Sequence, residues 1–445
     1  MEFDALLLSR IQFGLTTAFH IVFPTMTIGL ALFLAFLEGL WLKTRRDVYI
    51  RLYRFWVKLF ALAFGIGVVS GVVLSFEFGL NFSGYANFIG DVLGPLIGYE
   101  VLTAFFLEAG FIGIMLFGAN RVGPRLHFLA TCMVALGTTF SAFWILSANS
   151  WMHTPAGYSI SAAGYAVPED WLAVIFNPSF PYRLLHMVNA SLVSSAFVVA
   201  GISAWCILRD REREAMMVSL KLALAMAVVV APLQAFLGDQ HGLNTLEYQP
   251  IKIAAIEGHW ETVSGAPLIL FAWPDMALER NLWEVSVPYL GSLILTHTLD
   301  GTLVGLNTVP AADRPYVPLV FFSFRIMVGI GFLLIGVAFL GQWLRHRKRL
   351  ETSPRFLKLL MLVGPLGIVA TLAGWVTTEA GRQPWVVYNV LRTADALTPS
   401  LTTGSVAFSL IAISIVYTVV MIVFLGVGAH LIALGPEPAP AGGEG

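Results

Sequence analysis

The sequence predicts an all-α polytopic membrane protein of about nine transmembrane helices, with its N-terminus outside and its C-terminus inside. Three observations carry this. Of the 445 residues, 57% are hydrophobic and only 12% charged, about half the charged fraction of a soluble domain. Nine apolar runs approach or exceed the ~20 residues that cross a bilayer: 14–42, 59–80, 95–120, 128–150, 184–208, 219–237, 319–343, 359–378 and 406–433. Basic residues alternate between successive connections. The first connection carries Lys43, Arg45, Arg46, Arg51, Arg54 and Lys58, and the third Arg121 and Arg125. The fifth carries Arg209, Arg211, Arg213 and Lys221, and the seventh Arg345, Arg347, Lys348, Arg349, Arg355 and Lys358. The second has none and the fourth only Arg183. The positive-inside rule makes the odd connections cytoplasmic. Termini on opposite sides need an odd number of spans, and nine agrees.

In chain order, the N-terminus lacks a basic n-region, and its first apolar run is too long for a signal-peptide core, so it reads as a retained first span. Residues 1–237 hold six spans. The sixth connection, 238–318, is a long, acidic, external loop containing Trp260, Trp273 and Trp283. Such a loop is either a small cap or a functional segment, and long loops are more often functional. Residues 319–434 hold the last three spans. The Pro/Gly/Ala-rich tail, 435–445, reads as disordered. Cys132 and Cys206 form no CxxC or metal pattern, which argues against a disulfide framework or an iron–sulfur cluster. Basic residues form short clusters between spans with no nucleic-acid-binding motif, and the net charge of −1 points to no charged partner. The two halves show no internal repeat.

Chemistry concentrates in polar residues within the spans. The eighth span runs into Gly374–Trp385, GWVTTEAGRQPW, where Glu379 must either reach water or serve a site. With the topology above, His20 lies in the outer half of the first span and Glu100 and Glu108 in the outer half of the third. His186 starts the fifth span on the outer side, Arg325 and Met327 start the seventh, and Glu379 ends the eighth there. Each alone has a plain explanation: an interhelical hydrogen bond for His20, an interfacial position for His186, core packing for Met327. Their convergence on one side at similar depth does not. In an α-helix Glu100 and Glu108 lie about 12 Å apart axially and about 80° apart around the axis, so they line a route rather than form a tight pair. Arg325 and Met327 point about 200° apart. Two histidines, a thioether and buried carboxylates fit iron porphyrin with proton delivery. A proton-coupled transporter uses the same acids and histidines but has no need of the Met, and many such proteins carry an internal repeat.

The ordered motifs YEVLTAFFLEAGF (99–111), WILSANSWM (144–152), LGDQHG (237–242), IKIAAIEGHWET (251–262), FFSFRIMVG (321–329) and GRQPW (381–385) cover nearly the whole chain. With them the chain resembles subunit I of the cytochrome bd family of bacterial quinol oxidases. That resemblance implies His186 and Met327 as axial ligands of a low-spin haem b. It implies His20 and Glu379 as ligands of two high-spin haems at the oxygen-reducing centre, one a haem b and the other a haem d or a further haem b. Which of the two residues holds which haem stays open. It places Glu100 beside that haem pair, Glu108 and Ser141 on a proton route, Arg325 beside the low-spin haem and Arg382 at a propionate. It places Lys252 and Glu257 in the quinol-oxidising loop, with Glu257 as base and Lys252 holding either Glu257 or a quinone oxygen. From the residues alone, Lys252 and Glu257 read as an exposed loop salt bridge.

The segment 275–318 lacks the long insertion of the best-known members, which resembles the branch that includes the cyanide-insensitive oxidases. The implied protein oxidises quinol at the outer face of the bacterial inner membrane and reduces oxygen to water without a separate pump. It pairs with a second integral subunit and a small single-span one. A haem-free, quinone-binding structural subunit is the competing class, and it leaves His186, Met327 and GRQPW unexplained. Few buried acids stand in the inner half, where Glu38 lies near the inner end of the first span.

Overall fold

The structure, a computed structural model, describes residues 4–438. Among these, nine helical segments are long and apolar enough to cross a membrane. The first two are α1 (Ala5–Thr44) and α2 (Asp47–Leu80). The third is continuous but composite: α3 (Ser83–Tyr99), a π-helical stretch (Glu100–Phe105) and α4 (Phe106–Phe117). The expected second connection therefore shrinks to Asn81 and Phe82, because residues 83–94 are helical. Next come α5 (Pro124–His153), the hairpin of β1 (Tyr158–Ile160) and β2 (Ala166–Pro168), and the short α6 (Trp171–Ile175). α7 (Phe180–Leu208) and α8 (Arg213–Tyr248) follow.

The sequence boundary at 237/238 falls inside α8. Asp239, Gln240 and His241 break the apolar run, yet a helix satisfies its own backbone and continues for another three turns. The connection between the sixth and seventh spans starts at Gln249. It holds α9 (Pro250–Glu257), β3 (Val263–Ser264), the long hairpin of β4 (Leu268–Asp275) and β5 (Arg280–Val287), α10 (Leu290–Thr296) and β6 (Thr302–Leu303). β3 pairs with β6 antiparallel, and β4 with β5. The seventh span is α11 (Val317–His346). The eighth is split into α12 (Pro354–Val363) and α13 (Leu366–Ala380) at Pro365, which lacks an N–H to continue the ladder. β7 (Trp385–Val387) and β8 (Leu391–Arg392) lead to α14 (Thr403–Leu434), which opens on a Thr402–Ser405 capping box.

α7 is the centre of the bundle and packs on α1, α5, α8, α12 and α13. Small residues allow the close approach. A Cβ on Gly29 of α1 would meet Ser195 Oγ of α7 at 2.4 Å, and one on Gly367 of α13 would meet Ser194 Cα at 2.6 Å. Trp56, Phe60, Phe197, Leu224 and Leu360 fill the largest apolar cluster. α14 lies on α1 and α2 and leaves Phe408, Ile411 and Ile415 exposed for lipid or another subunit.

Ser409, early in α14, donates to Gln12, early in α1. Beyond the far end of α14, the Glu437 carbonyl accepts from Arg51 at the start of α2, at 2.7 Å. The two termini therefore lie at opposite ends of the bundle. One end carries the long connection and is called the loop end below. Of the tail read as disordered, Gly435–Pro438 is described, and 439–445 lies outside the described residues.

Candidate functional site

Several elements converge at the loop end on Glu379, in the last turn of α13. Its carboxylate accepts from Asn149 Nδ2 at 2.9 Å, lies 3.4 Å from His153 Nε2, and pairs with Arg382. Asn149 and His153 belong to the last turns of α5. The other ring nitrogen of His153, Nδ1, lies 2.9 Å from Lys252 Nζ of α9. Gln249 Nε2 donates to the His153 carbonyl at 3.0 Å, tying the end of α8 to the end of α5. A polar chain thus runs Arg382–Glu379–His153–Lys252 through residues far apart in sequence.

Lys252, Arg183 and Arg382 are 3%, 6% and 5% exposed, so Lys252 is no surface loop residue. Burial holds the Lys252 ammonium well below the usual lysine range; Arg183 and Arg382 push it lower still, and Glu379 opposes them. Three buried basic side chains thus face one carboxylate. Arg183 Nε, Arg382 Nε and Arg382 Nη1 are buried with no hydrogen-bond partner among the described residues. Unpaired buried charge is costly. The cluster therefore fits a bound group that brings carboxylates of its own, as haem does through its propionates. Two clefts flank GRQPW. One of about 90 Å³ is lined by Lys252, Arg382 and Trp385, and one of about 310 Å³ by Arg10, Gln383 and Pro384.

The candidate ligands have matching surroundings. His186 Nε2 accepts from Gln234 Nε2 at 3.1 Å, which puts the ring proton on Nδ1, a buried atom with no partner among the described residues, and His241 packs edge-on at 5.5 Å. Met327 belongs to α11, His186 to α7, and both helices pack on α8 and α13. His20 Nδ1 lies 3.0 Å from Ser70 Oγ of α2. The Ser70 hydroxyl hydrogen goes to the Gly67 carbonyl at 3.0 Å. Ser70 can then only accept from His20, which puts the ring proton on Nδ1 and leaves the Nε2 lone pair free for a metal. Three of these side chains lie against glycines. An added Cβ would sit 3.1 Å from His20 Cε1 at Gly71, 3.3 Å from His186 Cε1 at Gly238, and 2.7 Å from Met327 Sδ at Gly374.

The π-helical stretch begins at Glu100, and π turns are frequent at functional sites. Its wider turn alters the angle expected between Glu100 and Glu108 on a regular helix. Both acids face α5. Ser141 Oγ donates to Glu100 at 2.7 Å, and a Cβ on Gly137 would meet Glu108 Cγ at 2.5 Å.

Lys252 and Glu257 are both buried and do not pair, which corrects the expected salt bridge. Five residues apart on α9, they point about 140° from each other. Lys252 turns to His153. Glu257 turns towards Arg325 and leaves Oε2 buried with no partner among the described residues. Burial pushes the Glu257 carboxyl up, and Arg325 opposes the shift. Arg325 stacks on Phe321 and spends its donors on the carbonyls of Ile256, Ile269 and Phe321, so it anchors the loop to α11.

The sequence reading missed His153, Arg183, His241, Gln249 and Glu77. Arg183 had a signal, as the lone basic residue of its connection. Glu77 had one too, as a carboxylate inside an apolar run; it is 3% exposed and accepts from Gln12 at 2.8 Å and from Thr16. His153 lies one residue past a quoted motif, and nothing in the sequence pairs it with Lys252.

Comparison with known proteins shows the family. The family profile described as cytochrome bd terminal oxidase subunit I matches residues 8–436. The chain belongs to this family. It is 39% identical to the cytochrome bd ubiquinol oxidase subunit 1 of Bacillus subtilis, over 94% of this chain and 92% of that one. It is 34% identical to the cytochrome bd-II ubiquinol oxidase subunit 1 of Escherichia coli, over 98% and 97%. The solved bd oxidase of Geobacillus thermodenitrificans superposes with a TM-score of 0.91 at 32% identity, covering 98% of this chain and 99% of that one. The protein is a haem-bearing, multi-pass subunit of a terminal respiratory oxidase in the bacterial inner membrane, and a quinol:oxygen oxidoreductase.

Proposed function

We propose that this bd oxidase subunit holds all three haems of the enzyme, with the loop end facing outwards. Supporting the sidedness, the basic clusters around Lys43–Lys58 and Arg345–Lys358 lie at the opposite end. His186 and Met327 would hold a low-spin haem b. His20 and Glu379 hold the two high-spin haems, one a haem b and the other a haem d or a second haem b. The observation that carries this reading is the basic cluster of Arg183, Lys252 and Arg382, short of anions, built around Glu379 and next to His186. Bound haem supplies one-electron transfer and oxygen reduction.

The side chains then divide the remaining work. Arg382, with Arg183 and Lys252, takes the propionates. Asn149 and His153 fix the Glu379 carboxylate, and Ser70 fixes the His20 tautomer. Arg325 holds the loop on α11, and Glu257 accepts a proton from quinol. Glu108 and Glu100, the latter held by Ser141, deliver protons for water from the opposite side. Because quinol protons leave outside and the protons for water come from the opposite side, each proton carried outwards to the site stores up to ~2.3 kcal/mol per 100 mV without a pump. The partner is a second integral subunit, with a small single-span subunit beside it.

Two expected results test parts of this account. Ser70→Ala should weaken binding of the haem on His20 by about 10- to 100-fold, as loss of an orienting hydrogen bond does at metal sites, and so lower its content in the purified complex. Ser70→Thr, which keeps the hydroxyl, should restore it; pyridine haemochrome counts of the purified complex read both. Equal haem content and an unaltered spectrum in Ser70→Ala would remove Ser70 from the site. Glu108→Gln should keep every haem band while slowing oxygen consumption by about 100-fold or more. Normal oxygen uptake in that variant argues against a required proton role.

A further inference from the structure

A second buried acid–base cluster lies at the end of the bundle opposite the haem candidates. Glu38 of α1 is 0% exposed, and His127 and Thr131 of α5 are 4% and 0%. His127 Nδ1 lies 2.6 Å from Glu38 Oε1, and Thr131 Oγ1 donates to Glu38 Oε2 at 2.6 Å. Tyr53 of α2 completes the group, with its hydroxyl 2.8 Å from Thr131 Oγ1. Donor counting fixes the roles. Thr131 spends its hydrogen on the carboxylate, so Tyr53 donates to Thr131. The carboxylate then accepts from both His127 and Thr131. The atom left over is His127 Nε2, which is buried and has no partner among the described residues.

A purely structural clasp between α1, α2 and α5 needs no free, basic nitrogen. We propose that Glu38 and His127 form a proton-loading pair on the uptake route of this subunit. His127 Nε2 takes a proton arriving from the inner aqueous phase. The pair then holds a compact imidazolium–carboxylate, neutral overall, which lowers the cost of charge in the membrane interior. The same Nε2 releases the proton towards Glu108, and the pair returns to neutral imidazole and carboxylate. No electron moves and no bond other than N–H forms or breaks.

The onward direction follows α5. His127, Thr131, Thr138 and Ser141 fall on one face of this helix at spacings of four, seven and three residues. Gly137, beside Thr138, is where Glu108 lies against α5, and Ser141 holds Glu100. From Thr131 to Thr138 is about 10.5 Å along the axis, a gap that water must bridge. The inference rests on the oxidase reading and on the loop end facing outwards. It adds an entry point within this chain to a route whose inner half otherwise looked empty.

The test uses the complete oxidase complex in liposomes, reduced and then mixed with oxygen, with a pH dye on the inner-face side and haem absorbance recorded together. His127→Gln keeps a donor for Glu38 but removes the basic Nε2. It should show the wild-type haem spectrum and wild-type haem reduction by quinol, with proton uptake slowed about 100-fold or more, the low end for loss of a proton-transfer group. Wild-type uptake in the intact variant overturns the proposal. If His127→Gln fails to assemble, Glu38→Gln must give the same slowing. Failure of both to assemble makes the pair a structural clasp and overturns it too. A wild-type complex that reduces oxygen but takes no protons from that side overturns the sidedness on which the proposal rests, whereas a complex without haem overturns the proposed haem sites themselves.

Discussion

Met327→Leu is expected to leave the complex assembled but to lower the potential of one haem alone and to slow quinol-driven turnover by about 10- to 100-fold. In the proposed assignment the thioether would hold that haem's potential up, since His/Met ligation raises potential. For a one-electron step each ~59 mV lost shifts electron occupancy tenfold towards the donor. Leu fills the volume of Met at small packing cost, so the fold should survive, and Gly374 still leaves the seam between α11 and α13 open. His186→Leu should go further and remove the same haem. It removes both ring nitrogens, and the Gln234 amide beside them cannot take over as a ligand of similar strength. A redox titration followed in the visible bands reads both. Unchanged spectra and midpoints in both variants contradict the axial assignment.

Glu257→Gln should slow quinol oxidation by about 10²- to 10⁴-fold with all haem bands intact, the usual cost of losing a general base. The pH profile separates this role from a structural one. Burial pushes the Glu257 carboxyl up, with Arg325 opposing. A base works only when deprotonated, so turnover should rise with pH through an acid limb lying above the ordinary carboxyl range. Glu257→Gln should abolish that limb. Removing the Arg325 charge takes away the opposing influence, so the limb should move higher still. Quinol turnover in Glu257→Gln at the wild-type rate and with the wild-type pH profile would make Glu257 a packing residue of α9.

The two residues that the sequence reading joined, Lys252 and Glu257, show where such reading stops. Their motif was legible, and so was their place between the sixth and seventh spans. Their burial and their separation across α9 were not, because the contacts that bury them come from His153, 99 positions away from Lys252, and from Arg325. The nine spans were legible because an apolar run of membrane length is a property of consecutive residues. The continuation of α8 through Asp239–Tyr248 was not. Polar residues there lower local hydropathy, while the helix costs nothing in unsatisfied backbone and turns His241 and Asn244 inwards. The π-helical stretch at Glu100 leaves no periodic mark in six residues.

For the site, one-sided convergence of His20, His186, Met327, Glu100, Glu108 and Glu379 followed from topology alone. The excess of buried cations did not, since it depends on Arg183 and Lys252 reaching the same place as Arg382. The same limit hid the Glu38–His127 pair. Glu38 was visible as an acid at the inner end of a span, but its partner lies 89 residues on, at the start of another helix.

The most direct test of the central claim is a reduced-minus-oxidised visible spectrum of the purified complex, with acid–acetone extraction to count and type the porphyrins. The account predicts three haems per complex carried by this chain. One is low-spin with b-type bands. A red chlorin band would mark haem d at the oxygen site, and b-type bands alone a haem b there. Well-folded complex without haem would contradict the account and return His20, Glu100 and Glu108 to the transporter reading.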